Sequence, residues 1–455
     1  MFLPLRILSH KLARGELTST DLVRQSLQAI ENPAGEGRLA FIHVDRERAL
    51  DEAEFIDAQR AKGRTLPPFA GIPFGVKDLF DVAGEVTAAG SKLLRNAIPA
   101  SRDATAVTRL RAQGFIPVGR TNMTEFAYSG VGLNPHYGTP RSPYDRKTAR
   151  IPGGSSSGTA VAVADGMVPM ALGTDTGGSC RIPAAYCGIA GWKPSTGRVP
   201  KDGVYPLSAT LDSVGPLAQT VSCCAIADAI MAGDWSGEIA PKPLKSVRLG
   251  LPTTHVMDGV EPPVAAAFER ALTILVKAGT RIDDFVFPEL ADLPQINAKG
   301  GISAVEAFVH HRKQIESRAE EYDPRVMKRI LSGAGVSAPD YVEILNRRRD
   351  LICRCDDLMA GFDALVMPTS PNVPPPITAL ATDEEYARLN FLSLKNTFLG
   401  NFLDRCSISL PMHGPEEPPS GLMLMAAWGR DRQLFAVAQA IEDALKPVRS
   451  SDRRT

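Results

Sequence analysis

The stretch from Arg150 to Pro194 constrains this chain more than any other, because it packs glycine and serine between short apolar runs: RIPGGSSSGTAVAVADGMVPMALGTDTGGSCRIPAAYCGIAGWKP. A flexible glycine/serine linker has no reason to be framed by AVAVA and MVPMALG. A phosphate-binding loop should show GxxxxGK[ST] or GxGxxG after a strand, and neither pattern stands here. Acyl-transfer chemistry accounts for the cluster best. Paired glycines let consecutive backbone N–H groups turn toward one point, where they receive the charge of a tetrahedral intermediate. Ser179, directly after Gly177 and Gly178, is placed to be the nucleophile beside that point.

A serine at its ordinary pKa is a poor nucleophile and needs a base. None of the seven histidines (His10, His43, His136, His255, His310, His311, His413) lies in a glycine-framed motif. Lysine is the other candidate. Lys77 follows the apolar run GIPFGV, whose burial would penalise the ammonium form and lower the pKa toward neutrality. On the residues alone, a surface lysine beside Asp78 is an equally good reading.

Around this centre the pattern is α/β. Leu22, Val23, Leu27 and Ile30 recur at helical spacing over 16–31, with Thr18 or Ser19 as cap. Residues 42–62 predict a more solvated helix, FAGIPFGVKDLFDV a strand, and 103–127 a helix, a strand and a second helix start at Thr121–Phe126. Strands are expected near 246–251, in FDALVMPTSP and in GLMLMAAWG, with helices over 262–278, most of 302–360, and RQLFAVAQAIEDAL; 371–378 is a proline-rich loop. The alternation argues for one sheet with helical cover.

The 455 residues are 44% hydrophobic and 22% charged, which excludes wholesale disorder. Lys plus Arg equals Asp plus Glu at 51 each, so charge gives no reason to expect nucleic acid or an anionic membrane as partner. Seven cysteines without a CxxC pair make neither a disulfide framework nor a zinc site. No run is long and apolar enough to span a membrane. The expected setting is cytoplasmic, the expected ligand small, and the metal content none.

GIPFGVKD, PGGSSSG and ALGTDTGGSCRIPAAYCGIAGWKPS together resemble the amidase signature family of serine amidohydrolases, with weaker similarity running from about residue 10 to 440 through EAFVHHR, YDPRV and DALVMPTSP. The resemblance implies a single domain over 1–446, a mixed twisted sheet with helices on both faces, and a flexible tail at 447–455. It implies a Ser-Ser-Lys triad of Ser179 as nucleophile, Ser155 as bridging serine behind a cis peptide bond, and Lys77 as base. The N–H groups of Thr176, Gly177, Gly178 and Ser179 would form the oxyanion hole, with Ser156 and Ser157 in support. Ala127 and Tyr128 match positions near the acyl pocket, and Arg349 loosely matches a carboxylate-binding arginine of glutaminase subunits. No cofactor is implied. The expected activity is hydrolysis of a small carboxamide through an acyl-enzyme, releasing ammonia or an amine. The alternative is the glutaminase component of an amidotransferase, passing ammonia to a partner; a homodimer is a further option. Cys180 departs from the aliphatic residue frequent in the family, and the NFLDRCSISLP to GLMLMAAWG region is shorter than in many relatives, which leaves the substrate open.

Overall fold

In the computed structural model, which describes residues 1–235, 239–298 and 301–450, eleven strands form one mixed sheet. They are β1 (Phe41–Val44), β2 (Pro73–Lys77), β3 (Ile116–Thr121), β4 (Met170–Asp175), β5 (Ala190–Lys193), β6 (Ser213–Ala218), β7 (Arg248–Pro252), β8 (Arg281–Phe285), β9 (Ala364–Pro368), β10 (Cys406–Pro411) and β11 (Gly421–Ala426). Their spatial order is β1-β3-β2-β4-β6-β5-β10-β11-β9-β7-β8. β2 runs parallel to β3 and β4, and β7 parallel to β8 and β9, while the other pairings are antiparallel.

Alternate strand residues feed opposite faces, as the two-residue repeat of a strand requires. Phe74 and Val76 of β2 and Met170 and Leu172 of β4 join the largest core, with Val107 and Leu110 of the helix Thr105–Ala112 and Phe435 of the helix Asp431–Ser450. Ile116, Val118 and Ala171 turn to the other face, against Val23, Leu27 and Ile30 of the helix Ser19–Glu31 and against Ala160–Val163. The fold is a single α/β domain with helices on both faces. Thr18 caps its helix by accepting a hydrogen bond from Asp21 N.

Three expectations change. Residues 42–44 belong to β1, so the helix predicted from 42 begins at Arg46. The helix start at Thr121–Phe126 is a single 3₁₀ turn, Glu125–Ala127, in which Phe126 and Ala127 take left-handed backbone angles, φ 49° and 61°, that a continuing helix cannot use. The helix Asp431–Ser450 runs past Pro447, and the rest of the tail expected at 447–455 lies outside the described residues.

Gly158 shows how tightly the signature packs. In the helix Ser157–Ala164 it faces the chain entering β1 and leaving β3, where an added Cβ would stand 2.2 Å from Ala40 O and 2.5 Å from Asn122 N. Gly158→Ala should therefore cost about 1–3 kcal/mol or more, as overpacking does. Gly335→Ala, which meets nothing within 4 Å, should cost little. Denaturant midpoints of the two variants test the contrast.

Candidate active site

Lys77 is the last residue of β2 and is fully buried. Because Val76 pairs with Leu172 of parallel β4, its side chain ends level with Thr174. Its Nζ stands 2.8 Å from Ser155 Oγ and 2.8 Å from Thr174 Oγ1. Burial strips solvent from the ammonium, and the opposing pulls of Cys180, Asp175 and Asp212 do not make up the loss, so the amine is pushed down to about 7. In the neutral form one N–H donates to Thr174 while the lone pair accepts the Ser155 hydroxyl.

Ser155 follows a cis peptide bond at Gly154–Ser155, as the resemblance implies. Its carbonyl accepts from Thr124 N and Ser157 N, which ties it to the N-terminus of the Ser157–Ala164 helix. The Ser156 and Ser157 hydroxyls reach only the carbonyls of Thr174 and Asn122, at 3.5 Å.

The loop Thr176–Ser179 continues from β4. Among the described residues its four N–H groups donate to no acceptor and Ser179 Oγ has no hydrogen-bond partner. The loop is held from both ends. Asp175 accepts from Cys180 N (3.0 Å), from Arg181 Nε (3.0 Å) and Nη2 (2.8 Å), and from Asn401 Nδ2 (3.0 Å). Burial alone would push the Asp175 carboxyl up, yet Arg181 and these donors hold it at about 2. Thr176 Oγ1 donates to Asp212 at 2.5 Å, and Thr397 Oγ1 donates to Gly177 O at 2.7 Å. Gly178 has φ 143°, and a Cβ there would lie 2.2 Å from Thr397 Oγ1, so the close approach that shapes the loop needs glycine. The buried Cys180 thiol is pushed up by desolvation and stays protonated.

Ser179 opens on a narrow cleft of about 80 Å³, whose lining includes Ala127 and Tyr128. Through Ala127, Thr176 and Leu207 the cleft adjoins an inner cavity of about 180 Å³; through Tyr128, Ser303, Arg329, Leu394 and Phe398 it adjoins an outer vestibule of about 410 Å³. Arg349 is not part of this site. It is exposed on the helix Ala338–Met359, two residues from inward-facing Leu351 and so on the opposite side. The arginine that does line the cleft is Arg329, from the helix Pro324–Leu331, with its guanidinium 4.5 Å from the Tyr128 ring centre. Among the described residues no carboxylate pairs with it. Thr174, Asp212 and Arg329 went unnoticed in the sequence. Thr174 and Asp212 lie in or beside strand residues, and nothing in the sequence set Arg329 apart from its charged neighbours.

The profile of the Amidase family matches residues 21–435. The chain is 36% identical over 442 residues to 2-amino-5-chloromuconic acid deaminase of Comamonas testosteroni, covering 95% of this chain and 94% of that one. It is 35% identical over 400 residues to a glutamyl-tRNA(Gln) amidotransferase subunit of Chloroflexus aggregans, covering 80% and 81%. Native peptide amidase from Stenotrophomonas maltophilia superposes with a TM-score of 0.83 at 27% identity, over 99% of both chains. The chain therefore belongs to the Amidase family, the amidase signature enzymes, and hydrolysis of amides is its chemistry. None of its described helices is long and apolar enough to cross a membrane.

The depressed Lys77 pKa makes a stability prediction. Between about 7 and the unfolded value of about 10.5 the unfolded chain binds a proton that the folded chain refuses, so stability falls as pH drops through that window and the loss is complete below 7. The full loss is about 5 kcal/mol. Lys77→Met keeps the volume without the amine, so its stability relative to wild type should be greatest at pH 6–7 and shrink toward pH 10. Melting temperatures of both proteins across that range check it; a difference that does not vary with pH would mean that Lys77 is not desolvated.

Proposed function

We propose that the protein is an amidase that cleaves the C–N bond of a small carboxamide through an acyl-enzyme on Ser179, with Ser155 and Lys77 as the proton relay. The observation that carries this reading is a buried lysine, near neutral at physiological pH, in hydrogen-bond contact with Ser155 beside a loop whose N–H groups are free. Neutral Lys77 takes the Ser155 proton as Ser155 takes the Ser179 proton. Ser179 Oγ attacks the carbonyl carbon, and the resulting oxyanion is met by N–H groups of Thr176–Ser179. The relay then runs backward and delivers the proton to the nitrogen, which leaves as ammonia or an amine. Water attacks the ester with the same base, and the acid departs.

Arg329 supports an acidic substrate. A guanidinium without a carboxylate partner, lining the cleft that holds Ser179, suits a carboxylate on the acyl half of the amide. The resemblance to a deaminase of a muconic acid derivative points the same way. A second reading, a glutaminase that feeds ammonia to a partner chain, is favoured by the similarity to the glutamyl-tRNA(Gln) amidotransferase of Chloroflexus aggregans. Ammonia release by the purified chain from simple amides, without a partner, would decide for the first.

Ser179→Ala should fold normally and lose several orders of magnitude in turnover; a variant keeping a tenth of the wild-type rate would remove Ser179 from its role. The acylation rate should climb with pH through an apparent pKa near 7, since only neutral Lys77 can act. Lys77→Arg keeps the charge but cannot deprotonate, so it should lose both the rate and the limb. Single-turnover pH profiles of wild type and Lys77→Arg test this, and a shared limb at similar rates would send the proton elsewhere.

A further inference from the structure

Among the described residues, the lining of the outer vestibule carries three nitrogen bases and no acid. Besides Arg329, its lining includes His255 and Lys395, with Asn297 as a further polar group, while Leu293, Pro294, Leu394 and Phe398 give it apolar walls. Lys395 is the telling residue. Its side chain is 9% exposed, its Nζ donates to the Asp258 main-chain carbonyl at 2.5 Å, and the Asp258 carboxylate stands 4.0 Å away but is itself 75% exposed. Its charge is thus held inside the cavity wall with a solvated counter-ion as its one acidic neighbour among the described residues. Burial and the Lys395 charge together keep His255 below the usual histidine range. About 410 Å³ is within the usual range of small-molecule sites.

We infer that the vestibule is a second anion subsite, so that the acyl half of the substrate carries two acidic groups: one on Arg329 beside Ser179, the other on Lys395 and His255 further out, with a hydrocarbon chain along the apolar wall between them. The inference rests on the proposed amidase reading for its orientation, since the amide must face Ser179. It adds that a single carboxylate leaves the Lys395 ammonium with no acidic neighbour but its solvated counter-ion, so a monoacid forfeits affinity that a diacid gains.

Calorimetric titration of the wild-type chain with straight-chain dicarboxylates of four to eight carbons, each against the monocarboxylate of equal length, tests this without turnover. At the best length the diacid should bind at least tenfold more tightly than the monoacid. Lys395→Met should bring that ratio close to one and Lys395→Arg should restore it, which separates charge from folding. Arg329→Met should weaken diacid and monoacid alike. Equal affinities at every length, or a preference that survives in Lys395→Met, would overturn the subsite. Absence of ammonia release from a panel of amides would instead overturn the amidase reading, and the titrations would still report on the vestibule.

Discussion

The burial of Lys77 governs the rest of the site. A lysine at the end of an interior strand sheds its hydration, and the two hydroxyls at 2.8 Å return hydrogen bonds but no negative charge. A carboxylate in contact would have restored the ammonium and removed the lone pair. Asp175 and Asp212 act on Lys77 from beyond hydrogen-bond reach, and each is occupied elsewhere, Asp175 with Arg181 and Asn401, Asp212 with Thr176 and the N–H groups of Leu207 and Ser208. The acids near Lys77 thus brace the Thr176–Ser179 loop, and the amine keeps its lone pair.

That bracing matters because free N–H groups are costly to hold in place. A loop with four unpaired donors tends to relax into turns that pair them. Here Asp175 grips Cys180 N and Arg181 on the far side of the loop, Asp212 holds the Thr176 hydroxyl, and Thr397 holds the Gly177 carbonyl, so every anchor lies outside the N–H groups themselves. Arg181, Asp175 and Asn401 are all buried, and each charged partner is satisfied. Removing Arg181 or Asp175 would leave the other as a buried charge without its partner, a loss usually larger than the net gain from the pair.

The parts legible in the sequence were those where chemistry forces composition. Glycine pairs before Ser155 and Ser179 and the apolar run before Lys77 signal their backbone needs directly, and resemblance supplied the roles. β6 and β10 were missed for the opposite reason. β6 contains Gly215 because its backbone lies close to β5, where a Cβ there would meet Trp192 O at 2.0 Å, and Pro216 follows it. β10 carries buried serines, and Ser409 is paired to Thr369 across the sheet at 2.7 Å. Neither reads as a hydrophobic strand. β8 is an edge strand whose charged RIDDF sequence discourages pairing with another chain. Arg329 was hidden because a single cleft-facing arginine on a charged helix resembles its solvated neighbours until the fold shows which way it turns, and the same ambiguity gave Arg349 a place it does not hold.

The division of labour between layers explains both the clarity and the gap. Lys77, Thr174 and the Thr176–Ser179 loop sit at the ends of central parallel strands, where displacement of one strand would disturb the whole sheet. The groups that line the cleft and vestibule come from elsewhere: Ser303 from Gly301–Arg318, Arg329 from Pro324–Leu331, Leu394 from Asp383–Leu394, Lys395 just beyond, and Phe398 from Thr397–Phe402. Their cleft-facing residues can change one at a time while the strand ends stay in place, so one amide-hydrolysing centre can serve many substrates. The reaction class follows from the signature for that reason, whereas the substrate has to be read from the charges that this helical layer turns toward Ser179.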